Sequence, residues 1–440
     1  MLKKQELSLA AAFFVNVNIM LGSGVFINSV TLARAAGALG ALVYPLVGLL
    51  ILPLIIIFSL LLANKPGGTF FEFGSLLHPV AGFLSSWGYF VGKLASAALG
   101  LHIFVTLMQS VHPGFAAVNA LVVDAIILGV FVFLTLFNVK TGRPLQYSFF
   151  MMKIVAVTTV LVASARLWDP VQFVVYRADW WGIPSSVTFG IFAFAGFEAT
   201  CSLSKNIQNP SRNGPRAVIF SYLFVMAVLT LYQLLLYGAL GSELGILNGF
   251  QESVGLVISR AFAGSLADVV RVVAFVCIAS SALGSSYAIL YSNLWNLNTL
   301  AQYQVIPWAS LFKRFNKYYA PIWCVLAAGA IELGYLLISK GEIILLQQVT
   351  ACASTLAYAL SVFGFCALFY RSGWRYRIVG LCGVGSILLF AYTATANAWF
   401  YGVYGYSIFA LLLLVGLIGF WYATVINKNR QGQPGQEPLL

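Results

Sequence analysis

Residues 9–33, LAAAFFVNVNIMLGSGVFINSVTLA, are long and apolar enough to cross a bilayer as a helix, yet they carry Gly22-Ser23-Gly24 in their middle. A second apolar run, residues 185–205, SSVTFGIFAFAGFEATCSLSK, is interrupted at comparable depth by Ala195-Gly196-Phe197-Glu198. Glycine in a helix interior costs about 1 kcal/mol relative to alanine, and an acid at mid-membrane roughly 2.5–3.5 kcal/mol more. Irregular backbone persists at such depth only where protein encloses it or where it lines a cavity. Both runs therefore read as broken spans around an enclosed site. The competing reading of the glycines is close helix packing of the GxxxG kind.

The rest of the chain agrees with a membrane protein. Of 440 residues, 61% are hydrophobic and 8% charged, against roughly 25% charged in soluble domains. Lipid must be the solvent. Apolar runs near twenty residues place about twelve spans at 9–33, 40–62, 80–109, 117–138, 146–166, 185–205, 216–240, 264–297, 321–339, 343–370, 377–398 and 403–426. The expected fold class is all-α and polytopic, with the lipid bilayer as partner. The net charge of +12 forms no basic stripe, which argues against nucleic acid. Loops on the side of the N-terminus hold 16 of the 24 Lys and Arg residues, so both termini are expected in the cytoplasm. No cleavable signal peptide is expected, and the tail 427–440 reads as disordered and cytoplasmic. The six cysteines lie in or at the ends of apolar runs without metal-ligand spacing, so neither a metal nor a cofactor is expected.

Three ordered motifs, NIMLGSGVFI at 18–27, PGGTFFEFGSLLHPVAGFLSSWGYFVGK at 66–93 and FAGFEATCSLSKNIQNPSRNGPRA at 194–217, resemble the amino acid–polyamine–organocation (APC) transporters, in particular the basic amino acid/polyamine antiporter branch. VIPWASLFKRFNKYYAP at 305–321 is similar to that family's loop after helix 8. The resemblance implies the leucine-transporter fold: inverted five-helix repeats at 1–175 and 176–370, then two further helices at 371–426. Three departures from the family pattern stand out: Leu21 between NIM and GSG, Glu72 at an aromatic position, and Asn293, Asn296 and Asn298 where charges are usual.

Candidate residues follow. Gly22, Ser23 and Gly24 can offer backbone N–H groups to a carboxylate, and the carbonyls of Ala193, Phe194 and Ala195 can accept an ammonium group. Together they would grip an α-amino acid as a zwitterion. Phe192 matches an aromatic that covers substrate in the family. Gln347, Thr350, Ser354 and Tyr358 share one face of span ten, for substrate contacts or interhelical hydrogen bonds, and Ser280, Ser281, Ser285 and Ser286 face the same choice in span eight. Glu198 is either a proton sensor, as in the family, or an anchor for loop amides. Lys153, about eight residues into span five, matches a lysine that stands in place of sodium in relatives and would bridge helices 1 and 8; the alternative is snorkelling. Lys93 and His102 are nine residues apart and face opposite sides of span three, and Asp124 and Glu332 are expected near outer span ends.

The expected function is secondary transport of amino acids or related amines by alternating access, as sodium-independent exchange or proton symport. The alternatives are a polyamine- or amine-specific antiporter and a channel-like pore. An enzyme is not expected, since neither HExxH nor a partnered GxSxG elbow occurs. The expected setting is the bacterial inner membrane, as a monomer or a homodimer.

Overall fold

Apolar runs of this length leave the backbone no hydrogen-bond partner but itself, and helix satisfies it locally. The structure, a computed structural model, describes residues 6–22, 24–111, 114, 117–137, 139–174 and 180–431. Its helices are α1 (Leu9–Met20), α2 (Gly24–Ala36), α3 (Gly40–Asn64), α4 (Phe70–Ser75), α5 (Pro79–Val111), α6 (Ala120–Thr135), α7 (Val139–Arg166) and α8 (Gly182–Phe194). They continue with α9 (Ala199–Leu203), α10 (Pro210–Leu240), α11 (Phe250–Ala261), α12 (Gly264–Gln302), α13 (Ile322–Ser339), α14 (Ile343–Phe369), α15 (Trp374–Tyr401) and α16 (Tyr404–Gln431). Among the described residues, nine stretches are long and apolar enough to cross a membrane, with Leu9–Met20 and Ala120–Thr135 as shorter apolar helices. The chain is an all-α polytopic membrane protein. Each expected span coincides with a helix or, at the two interruptions, with a pair of helices.

Helix persists past residue 427, where the disordered tail is expected to begin. Helix α16 runs to Gln431, and neither Gly nor Pro occurs in residues 427–431 to stop it earlier. Residues 432–440 lie outside the described part.

Helix α5 sits centrally, packed against α12 and α14, while α10 packs on α3 and α1. Helices α15 and α16 lie peripherally on α14, α3 and α5. Outward-facing Leu49, Val269 and Trp421 are exposed, as a lipid-facing surface requires. The chain start is stitched to the segment after α9: the Leu7 amide donates to Asn206 O at 2.7 Å, and the Gln208 amide to Leu7 O at 2.9 Å. The two broken spans are thereby joined at one end.

Candidate functional site

Both interruptions are true breaks. Helix α1 ends at Met20 and α2 begins at Gly24; α8 ends at Phe194, and four turn residues precede α9 at Ala199. The breaks face each other: a Cβ added at Gly196 would stand 2.6 Å from Ile19 Cγ2. Unpaired backbone groups at this depth are costly, and buried side chains supply the missing partners. Asn16 Nδ2 donates to Phe197 O at 3.0 Å, and Asn16 Oδ1 accepts from the Thr200 amide at 3.1 Å and the Thr200 hydroxyl at 3.0 Å. One amide thus satisfies a carbonyl inside the second break and an N–H in the helix after it.

The first break is completed by α7 and α12. Lys153 is fully buried, and its Nζ lies 2.8 Å from Asn18 O and 3.5 Å from Ser281 O. Ser281 Oγ donates to Leu21 O at 2.9 Å. Lys153 therefore links α1 to α12 and does not snorkel. Of the other span-eight serines, Ser286 donates to Ala97 O, whereas Ser280 and Ser285 bond carbonyls of their own helix. Asn18 turns aside, donating to Gln146 O at 2.8 Å and Gln146 Oε1 at 2.7 Å.

Glu198 is fully buried, and three donors hold its carboxylate. Oε1 accepts from the Tyr89 hydroxyl at 2.9 Å and from Lys93 Nζ at 3.0 Å, both on α5. Oε2 accepts from the Gly196 amide at 2.7 Å, inside its own break. Tyr358 and Ser354 on α14 lie beside this group, their buried hydroxyls without a hydrogen bond of ordinary geometry. Aromatic rings seal the layer: Phe197 and Tyr358 lie 5.7 Å apart, and Phe58 lies 5.7 Å from Phe197 and 5.6 Å from Tyr358.

Of the expected substrate residues, Gly22, Gly24 and Ala195 are half-buried, whereas Ala193, Phe194 and Ser354 are buried. Ser23 lies outside the described residues, as does the side chain of Phe192. A cavity of about 810 Å³ opens past Glu198, where Ser202, Lys65, Glu72, Lys205, Trp295 and Tyr303 contribute to its wall. The glycines of the first break do not line it.

Both acids expected near span ends are buried. Asp124 is fully buried on α6 and lies 2.7 Å from His102 Nδ1; Glu332 is 1% exposed on α13 with neither carboxylate oxygen hydrogen-bonded. Asp124 lies near the start of α6, as expected, and pairs with His102 of α5, whereas Glu332 lies well inside α13. On α14, Gln348 rather than Gln347 is the buried glutamine, bonding Gly402 O and the Gly405 amide. The span-eight asparagines also work between helices: Asn293 donates to Phe90 O at 2.7 Å and Asn296 to Ser202 Oγ at 2.8 Å. Residue reading had missed Asn16, Tyr89 and the partnership of Lys93. A lysine and an acid inside spans do signal a pair by charge balance.

A profile of the amino acid permease family matches residues 7–430. An uncharacterised transporter of Mycobacterium tuberculosis (strain ATCC 25618 / H37Rv) is 28% identical over 249 residues, 54% of this chain and 54% of that protein. The D-serine/D-alanine/glycine transporter of Escherichia coli (strain K12) is 24% identical over 234 residues, 48% and 49% of the two chains. The aromatic amino acid transport protein of Escherichia coli O6:H1 is 24% identical over 238 residues, 48% and 50%. The chain thus spans about half the length of the curated relatives it matches.

Proposed function

The chain belongs to the amino acid permease family, and from that membership we propose that it is a secondary transporter of amino acids or related amines, working by alternating access in the cytoplasmic membrane with both termini inside. The single observation that carries the reading is the meeting of two broken spans with half-buried backbone at Gly22, Gly24 and Ala195. The free N–H groups at the start of α2 suit a carboxylate, and carbonyls at the end of α8 suit an ammonium. Relatives that carry D-serine, D-alanine, glycine and aromatic amino acids support the same substrate class. The buried Glu198 layer and the cavity beyond it support alternating access, since a sealed layer adjoins an open vestibule. The five-plus-five repeat at 1–175 and 176–370 belongs to this reading, and so do exchange or proton coupling without sodium.

Counterflow tests it. Purified protein in liposomes loaded with unlabelled amino acids is expected to take up the labelled amino acid against its gradient. Conduction at single-channel rates, or no counterflow with any amino acid or amine, would overturn it.

A further inference from the structure

Glu198 stands at the second break, where an acid inside a transport site would be expected to draw cationic substrates. In this chain the acid already has a cation. Lys93 Nζ lies 3.0 Å from Glu198 Oε1, with the two side chains 3% and 0% exposed. The Tyr89 hydroxyl and the Gly196 amide complete the set of donors. The ammonium is carried on α5, the central helix, so it binds as an intramolecular partner. A free amine must displace a group with a large effective concentration and no translational freedom to lose.

The charges near the breaks reinforce the point. Lys153 is the second buried cation there, held by the carbonyls of Asn18 and Ser281, neutral groups that cancel no charge. With Lys153 as the ammonium, Lys93, Lys153 and Glu198 together would carry one more positive than negative charge. The other acids within spans are elsewhere: Asp124 is engaged by His102, and its helix α6 and the helix of Glu332, α13, pack against α5 and each other. A lysine, arginine or diamine would bring a further positive charge into a buried layer with no acid to receive it. An amino acid without net charge adds none, because its carboxylate and ammonium are met by the backbone groups of the two breaks.

We propose that Lys93 is the specificity-determining residue of the site: as a tethered ammonium it occupies Glu198, so that amino acids of no net charge are carried and cationic ones are excluded. The inference rests on the transporter reading above and deepens it. Lys93 acts through Glu198 and is a positioning residue.

The test is counterflow by the full chain in liposomes with a panel of glycine, alanine, serine, phenylalanine, glutamate, lysine, arginine and putrescine. At least one neutral amino acid is expected to exchange about tenfold or more faster than any charged member of the panel. Lys93→Met, which frees Glu198, is expected to raise the cationic-to-neutral ratio by about tenfold or more. A merely structural role would lower all rates together and leave that ratio unchanged. Should Lys93→Met fail to fold, Lys93→Met combined with Glu198→Gln removes both buried charges and is expected to exclude cations still, for want of a carboxylate. Preferred exchange of lysine, arginine, putrescine or glutamate by the wild type overturns the inference and leaves the transporter reading intact. So does an unchanged ratio in Lys93→Met, or cation exchange by the double variant. Silence across the whole panel overturns the transporter reading, and the inference with it.

Discussion

Gly196 has φ of +138°, a conformation that side chains with a Cβ rarely adopt, and a Cβ there would also meet Ile19 at 2.6 Å and Met20 Cγ at 3.0 Å. Its amide is the one that points at Glu198 Oε2. One residue thus sets the turn, the approach of the two breaks and the aim of the acid. Gly22 is different: a Cβ would find Ser285 Oγ at 3.4 Å and Ile19 O at 3.6 Å, ordinary contact distances. Gly196→Ala is therefore expected to destabilise the fold by about 1–3 kcal/mol, read as a lower thermal midpoint in detergent. Gly22→Ala is expected to keep its midpoint and lose amino acid exchange, because its methyl crowds the backbone proposed to meet the carboxylate. Equal midpoints for the two variants would refute this division of roles.

The short helix α4 shows how one substitution of residue type changes the job of an element. Thr69 and Glu72 form a capping box: the Thr69 amide donates to Glu72 Oε2 at 2.8 Å, and the Thr69 hydroxyl bonds the same oxygen. The other carboxylate oxygen lies 2.8 Å from Lys205 Nζ and accepts from the Tyr303 hydroxyl at 2.9 Å. Glu72 thereby ties α4 to the segment after α9 and to the end of α12, around the mouth of the cavity. Burial alone would raise the Glu72 carboxyl, but Lys205 and the Thr69 bonds outweigh it and hold the group below its ordinary value. A depressed folded-state value means stability that is present at neutral pH and lost as pH falls through that value. Glu72→Gln is expected to cost about 1 kcal/mol at pH 7. Thermal unfolding across a pH series should show the gap between variant and wild type closing below the ordinary carboxylate range. A gap that stays constant from pH 7 down to strong acid would sink the assignment.

Across the whole molecule, Lys153 is the tie between distant parts: from α7 it reaches the end of α1 at Asn18 O and the backbone of α12 at Ser281 O. A fixed ammonium among carbonyls would do what a bound monovalent cation does, so on the proposed transporter reading no sodium is needed. Uptake is expected to persist unchanged in sodium-free choline buffer. Lys153→Ala removes a charged hydrogen-bond partner and is expected to slow uptake by about tenfold or more. Strict sodium dependence in the wild type would exclude the idea, and full activity of the Ala variant would leave Lys153 a packing residue.

The spans and both breaks were legible because they are local properties. Run length, hydropathy, and the glycines and acid inside residues 18–27 and 194–217 act on the chain wherever it folds. The reach of Lys153 was expected from the family resemblance, since depth alone also allowed it to snorkel. The partner of Glu198 was not. Lys93 lies 105 positions earlier in the chain, and Asn16 lies 181 positions before the carbonyl it satisfies. Charge balance says that a buried acid and a buried lysine should pair, but Lys93 and Lys153 qualify equally as sequence. Which lysine reaches the acid, and which is left among carbonyls, depends on how α5, α7 and the two broken spans turn toward one another. That choice is made by packing, because the cost of a buried charge is set by its neighbours in space.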